Sequence, residues 1–215
     1  MKPYYAEDGI TIYHGDCREI ELPAADLLLT DPPFNVGKDY GTYTDDVSEE
    51  AYRSAMKRLV ATGPALQGWV VPNKHWRFFA DLLHDAPPII IHRRAIGPIR
   101  WGWHDQYDMV MVQGKPPRPW RNLWDDIRLR GEGYFFNEEW YDHPGYTPRA
   151  IFDRLIGLML AEPGTVVDPF AGTGTSLVAA KAAGHRAIGI EIEERYCEIA
   201  VQRLAQGVLN FEGSN

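Results

Sequence analysis

Three short runs constrain this chain more than any others: Leu27-Leu28-Leu29, Val166-Val167 and Ala187-Ile188-Gly189-Ile190. Each is apolar without alternation and too short for a helix. Each is followed within two residues by an acid: Asp31, Asp168 and Glu191 respectively. A strand with no polar face is buried on both faces, as in a parallel sheet sandwiched between helices. Further strands are expected at Thr11–His14, Gly68–Val71, Ile89–Ile91 and Met109–Val112. Helical patterns fall between them. One starts at Ser48, a suitable N-cap followed by Glu49 and Glu50, and runs to about Ala61. Others cover His75–His84, Arg149–Leu160, Ser176–Ala183 and Glu193–Ala205. Strands alternating with helices predict an α/β fold, a mostly parallel twisted sheet with helices on both faces.

The 215 residues suit a single domain, residues 1–215. Within it, 114–146 has no period and is rich in Pro, Gly, Trp and Tyr, so it reads as a short inserted segment. No apolar run approaches the ~18–20 residues of a membrane span. Met1–Asp8 has no apolar core of a signal peptide, so no secretion is expected. Cys17 and Cys197 are far apart and lack metal spacing; the expectation is a reduced, cytoplasmic protein without a metal. Cys197 is expected to be buried packing. The net charge of −8 argues against a generally basic coat for nucleic acid. The charge is uneven, however. Between Arg93 and Arg130 stand eight basic residues (Arg93, Arg94, Arg100, Lys115, Arg118, Arg121, Arg128, Arg130) and four acids (Asp105, Asp108, Asp125, Asp126). Such a stripe suits a polyanion held in one place, or a solvated face with salt bridges.

Two stretches carry chemistry. Thr30-Asp31-Pro32-Pro33-Phe34-Asn35 sets a carboxylate, a rigid corner and an aromatic ring at the end of a buried strand. Val166-Val167-Asp168-Pro169-Phe170-Ala171-Gly172-Thr173-Gly174-Thr175-Ser176 is a strand running through a glycine-containing turn into a helix. Glycines let a chain turn tightly and let a ligand approach the backbone. About 20 residues further on, Glu191 ends the next strand, a spacing that suits a carboxylate gripping the two hydroxyls of a ribose. There is no Gly-Lys-Ser/Thr of a phosphate-cradling loop, and the third glycine of a dinucleotide fingerprint is absent. A nucleoside-bearing ligand without pyrophosphate fits this set.

Taken together, Asp31-Pro32-Pro33-Phe34 and Asp168-Pro169-Phe170-Ala171-Gly172-Thr173-Gly174-Thr175 resemble the amino-methylating DNA methyltransferases that use S-adenosylmethionine. The tetrapeptide comes first and the cofactor loop last, as in the permuted beta group of adenine-N6 and cytosine-N4 enzymes. The resemblance implies a Rossmann-like methyltransferase fold, S-adenosylhomocysteine as product and double-stranded DNA as partner. It also implies a bacterial or phage-encoded enzyme, often beside a restriction enzyme, and leaves room for a homodimer. His14-Gly15-Asp16-Cys17 matches the motif that supplies an acid to the cofactor's adenine, and Gly189-Ile190-Glu191 the ribose acid. His143-Pro144 through Pro148 stands where the family has His-Pro-Thr-Gln-Lys-Pro. The lysine expected at the cofactor's carboxylate is absent there, with Thr147 and Arg149 as substitutes.

The chemistry agrees with the resemblance. The lone pair of an exocyclic amino group is delocalised into its ring. Two acceptors on its two hydrogens, the Asp31 carboxylate and the Pro32 carbonyl, draw the nitrogen toward a pyramidal form. Pro32 and Pro33 hold that corner rigid, and Phe34 stacks on the base. A paired base must first be flipped out, at a cost of a few kcal/mol. Stacking offsets about 1–3 kcal/mol of it. Residues 35–46 are expected to close over the base. Lys115, Arg118, Arg121, Arg128 and Arg130 are the expected DNA contacts. Trp120, Trp124, Phe135, Phe136 and Trp140 fit local core better than base stacking, and His14 and His143 fit structural roles. Adenine N6 is the expected target. Cytosine N4, an RNA substrate and a silent cofactor- and DNA-binding subunit are the alternatives.

Overall fold

Apolar alternation within the strands shows first how the sheet is covered. Leu27 and Leu29 pack into one core and Leu28 into another; Val166 and Val167 divide the same way, as do Val110/Val112 and Met109/Met111. Successive strand residues face opposite sides, so unbroken apolar strands require cover on both. The computed structural model supplies it. It describes residues 2–71, 74–83, 88–92, 107–124 and 147–206.

The strands are β1 (Tyr5–Glu7), β2 (Ile10–His14), β3 (Leu27–Thr30), β4 (Leu66–Val71), β5 (Ile89–His92), β6 (Tyr107–Gln113), β7 (Leu123–Trp124), β8 (Thr165–Asp168) and β9 (Arg186–Glu191). The helices are α1 (Glu49–Thr62), α2 (Trp76–Leu82), α3 (Arg149–Met159), α4 (Thr175–Ala182) and α5 (Glu194–Gln206). The sheet order is β1-β2-β9-β8-β3-β4-β6-β5-β7. From β2 to β4 all pairings are parallel. Beyond β4 the direction reverses, because β6 runs antiparallel to both β4 and β5. The expected mostly parallel α/β sheet is therefore present, with β1 and β6 antiparallel to their neighbours.

Helices α3, α4 and α5 bury Ile151, Phe152, Leu155, Leu177, Ala179, Cys197, Ala200 and Leu204 on one face. On the other, α1 and α2 bury Tyr52, Met56, Leu59, Phe78 and Phe79. Cys197 is fully buried, as its apolar surroundings predict. Ser48 caps α1 as expected, its hydroxyl accepting from the Ala51 amide at 3.2 Å. Gly189 shows why the strand run contains a glycine: a Cβ there would meet Leu177 Cδ1 at 2.8 Å and Ala171 Cβ at 2.9 Å, so α4 could not seat on β9. Trp124 is buried and Trp120 packs against the same core, which places both in the local core. Among the described residues no helix is long and apolar enough to cross a membrane.

Candidate active site

The parallel run brings the ends of β2, β9, β8, β3 and β4 to one edge of the sheet. In register, His14 lies beside Glu191, and Asp168 beside Gly189. Because β8 and β3 are neighbours, Asp31 and Asp168 reach the same edge although 137 positions separate them in sequence. That edge, at the carboxyl ends of strands, is where open α/β sheets bind ligands.

Asp168 is buried and tied on both oxygens. Oδ1 accepts from the Thr30 hydroxyl at 2.5 Å and the Phe170 amide at 3.0 Å. Oδ2 accepts from the Ser176 hydroxyl at 2.5 Å. It thus joins the end of β3, the end of β8 and the first turn of α4. Burial pushes its carboxyl above the usual range, against the pull of these three donors. The loop after it turns through Gly172 (φ 50°) and Gly174 (φ 78°). The missing Cβ of Gly174 is needed for packing, since one would lie 2.8 Å from Ala200 Cβ. Arg203 of α5 donates to the Thr173 carbonyl at 2.8 Å and to the Thr173 and Thr175 hydroxyls at 3.0 Å.

Glu191 is 8% exposed. Its Oε2 accepts from the Gly172 amide at 2.7 Å and its Oε1 from the Glu193 amide at 2.8 Å. Burial pushes its carboxyl up to about 7, outweighing the two amides. Each oxygen has capacity for a further donor. Asp16 is held otherwise. The Arg18 amide donates to its Oδ1 at 2.8 Å, and the Arg18 guanidinium pairs with both oxygens. Burial works to raise the Asp16 carboxyl, and the Arg18 bonds outweigh it, leaving it below its ordinary value. Cys17 is buried, its thiol pushed up to about 12 by that burial.

At the end of β3, Pro32 is buried while Asp31, Pro33 and Phe34 remain partly open. The Thr147 hydroxyl donates to Asp31 Oδ2. Thr147, expected near a cofactor carboxylate, is thus bonded to Asp31, and Arg149 pairs along α3 with Asp153 at 3.2 Å. Lys38 Nζ lies 5.4 Å from the centre of the Phe34 ring. The carbonyls of Phe34 and Asn35 are held by His75 Nε2 at 3.1 Å and Lys74 Nζ at 2.8 Å. Asn35 takes a left-handed conformation (φ 51°) and clasps both the amide and the carbonyl of Val47 at 3.0 Å. The ends of the connecting loop are therefore pinned together. The roles of Lys74, His75, Glu193 and Arg203 carry no signal in the sequence, since no local pattern marks the distant partner of a carbonyl.

The expected DNA contacts divide. Arg128 and Arg130 lie outside the described residues, as do Arg93, Arg94, Arg100, Phe135, Phe136, Trp140 and the His143-Pro144 stretch. Lys115, Arg118 and Arg121 are exposed. Gln113 at the end of β6 pairs with Gln67, whereas Met109 pairs with Val71 at the site edge. β6 ends at Gln113, so Lys115, two residues further on past the turn at Gly114, emerges away from the site edge. The chain then returns toward the site edge through β7, where Trp124 pairs with Ile91. Among the described residues no cluster of three or more His, Cys, Asp or Glu is placed to hold a metal.

Comparison with known proteins agrees with this arrangement. Residues 102–202 match the model of the N6/N4 DNA methylase family. Type II methyltransferase M2.LlaDCHI of Lactococcus lactis subsp. cremoris is 40% identical, over 96% of this chain and 93% of its own length. DNA adenine methyltransferase YhdJ of Escherichia coli (strain K12) is 24% identical over 93% of this chain and 84% of its own. In fold, the chain resembles the M1.HpyAVI complex with S-adenosylmethionine at a TM-score of 0.65 and 22% identity, covering 91% of this chain and 98% of that one. It also resembles the cytosine-N4-specific PvuII DNA methyltransferase at a TM-score of 0.67 and 18% identity, covering 99% and 91%. With a 40% identical relative matched nearly end to end and the family model matched across α3 to α5, the chain belongs to the N6/N4 family of DNA methyltransferases.

Proposed function

We propose that this protein transfers the methyl group of S-adenosylmethionine to the exocyclic N6 of an adenine flipped out of double-stranded DNA. One observation carries the reading: β3 and β8 are adjacent parallel strands, so Asp31 and the glycine loop bonded to Glu191 share one edge. The cofactor when bound supplies a sulfonium methyl already activated for transfer. Positioning and electrostatics are then most of the catalysis required.

Glu191 holds the ribose hydroxyls, while the loop 168–175 lies alongside. Asp31 and the Pro32 carbonyl accept from the two amino hydrogens, which exposes the nitrogen lone pair. The Thr147 hydroxyl, bonded to Asp31 Oδ2, fixes the rotation of that carboxylate. Phe34 stacks on the base, and the surplus proton leaves after transfer. Arg118, Arg121, Arg128 and Arg130 grip DNA.

Adenine is favoured because a carboxylate at the first motif position is a strong acceptor for N6 and the purine offers Phe34 a larger face to stack on than a cytosine does. YhdJ, an adenine enzyme by name, supports this reading. Cytosine N4 is the second reading, favoured by the fold shared with the cytosine-N4-specific PvuII enzyme. The test is incubation with labelled S-adenosylmethionine and duplex DNA, followed by digestion to nucleosides and mass spectrometry. N6-methyladenosine as the deoxynucleoside is expected. N4-methylcytosine alone selects the second reading, and no transfer to DNA removes both.

A further inference from the structure

The loop between Asn35 and Val47 carries the acceptor side toward α1, and its middle is held from the donor side. Glu193, directly before α5, is 4% exposed. A residue in that place ordinarily caps the helix with a short side chain. Here Oε1 instead accepts three bonds from the loop: the Thr42 amide at 2.7 Å, the Thr42 hydroxyl at 2.5 Å and the Tyr43 amide at 2.9 Å. Arg195 adds a bond to the Tyr40 carbonyl at 2.8 Å. Gly41 makes the approach possible: at φ 116° only glycine sits comfortably, and a Cβ there would meet Glu193 Oε2 at 3.0 Å. The segment belongs to the loop that leaves Asp31-Pro32-Pro33-Phe34 and is closed by the Asn35 clasp on Val47, with 3.0 Å bonds to both its amide and its carbonyl.

The other end of Glu193 touches the donor side. Its amide donates to Glu191 Oε1 at 2.8 Å, and Glu191 Oε2 accepts from Gly172 at 2.7 Å. One chain of hydrogen bonds therefore runs from the glycine loop through Glu191 and Glu193 to residues 40–43.

We propose that Glu193 is a positioning residue that sets the 40–43 segment over the acceptor site and couples its placement to occupancy of Glu191. This rests on the assignment of Glu191 to the ribose and Asp31 to the base. Hydroxyl donors arriving at Glu191 immobilise its carboxylate, and with it the turn that presents Glu193. DNA then meets an acceptor loop already in place, and by reciprocity DNA tightens the donor site.

The experiment measures duplex DNA affinity by fluorescence anisotropy with and without saturating S-adenosylhomocysteine. It uses a DNA that the wild type methylates, and compares wild type, Glu193→Gln, Glu193→Ala and Thr42→Val. Wild type should gain about 10-fold in DNA affinity when S-adenosylhomocysteine is bound, within the usual range of coupling between sites. Glu193→Ala should bring that ratio close to 1, while its affinity for S-adenosylhomocysteine without DNA stays within about 3-fold of wild type. Glu193→Gln, which keeps an acceptor oxygen, should restore most of the coupling. Amide exchange at Thr42 and Tyr43 should accelerate in the Ala variant. A ratio unchanged in Glu193→Ala, or no coupling in wild type, overturns the proposal. If the Ala variant does not fold, Thr42→Val decides: the residue is exposed, so reduced coupling supports the proposal and unchanged coupling overturns it. A wild type that fails to bind S-adenosylhomocysteine at all instead overturns the assignment of the donor site.

Discussion

The proposed donor and acceptor halves of the site share an edge but are built differently. On the donor side the polar groups from Asp168 to Glu191 are bonded mainly to one another and to the helices that follow: Asp168 to Phe170 and Ser176, Glu191 to Gly172 and Glu193, Arg203 to Thr173 and Thr175. On the acceptor side Asp31 and its loop are held from afar, by Thr147, Lys74, His75 and Glu193. A locally tied half is preformed by its own sequence, whereas a half tied across the fold depends on the sheet bringing its partners together. Changes on the acceptor side should therefore alter turnover with binding of the cofactor preserved, and changes on the donor side should alter cofactor affinity and stability.

The sharpest test of that contrast is Asp31→Ala. Loss of the acceptor carboxylate should lower kcat by on the order of 10²–10³-fold or more, as for removal of one preorganised polar group. Calorimetry should find cofactor affinity within a few-fold of wild type. Near-normal turnover removes Asp31 from catalysis, and a matching collapse of cofactor affinity erases the distinction between the halves.

Glu191→Ala should have the next largest effect, on the other half. A bond to a charged group contributes about 1.5–3 kcal/mol, so loss of both ribose bonds should lower cofactor affinity by roughly 100-fold or more. Unchanged affinity takes Glu191 out of the site. The pH dependence sharpens this. Burial raises the Glu191 carboxyl from 4.5 to about 7. Its contribution to folding stability is therefore full below 4.5 and lost as pH rises through about 7. Hydroxyl donors favour the charged form. Cofactor affinity should thus fall as pH drops through about 7, and Glu191→Ala should flatten that profile.

Ser176→Ala and Thr30→Val each remove one donor from the buried Asp168. Each should cost about 1–3 kcal/mol of stability, seen as a lowered Tm in thermal unfolding. A Tm unchanged in both would show that the donor half does not depend on this knot.

The smallest effects are expected at the segment that returns along the sheet edge. Neutralising Arg118 or Arg121 should reduce the salt slope of DNA binding by about 1 for each phosphate no longer engaged. Lys115→Ala should leave the slope unchanged, because Lys115 emerges away from the site edge. Equal slopes for all three variants and wild type would place the DNA elsewhere.

Much of this molecule is legible in its amino-acid sequence alone. Leu27–Leu29, Val166–Val167 and Ala187–Ile190 read as doubly buried strands because period-2 geometry leaves an unbroken apolar run no other comfortable home. Ser48 reads as a cap because a short hydroxyl before two acids satisfies an open helix end. The donor loop reads from its glycines and the acid after the next strand, all within one βαβ unit. Tyr5–Glu7 and Leu123–Trp124 do not read as strands, since two or three residues are too few for a period to emerge and their pairing partners decide. Nor does the reversal at β6, whose residues are as apolar as those of a parallel strand. Thr147 beside Asp31 and Glu193 beneath Thr42 lie 116 and 151 positions from their partners. A hydrogen bond across such a span leaves no spacing signal in the chain. Local hydrophobic period and turn chemistry thus determined the sheet, its helices and the donor loop. The order in which β9, β8 and β3 assemble decided which distant polar groups meet, and with that the whole of the acceptor half.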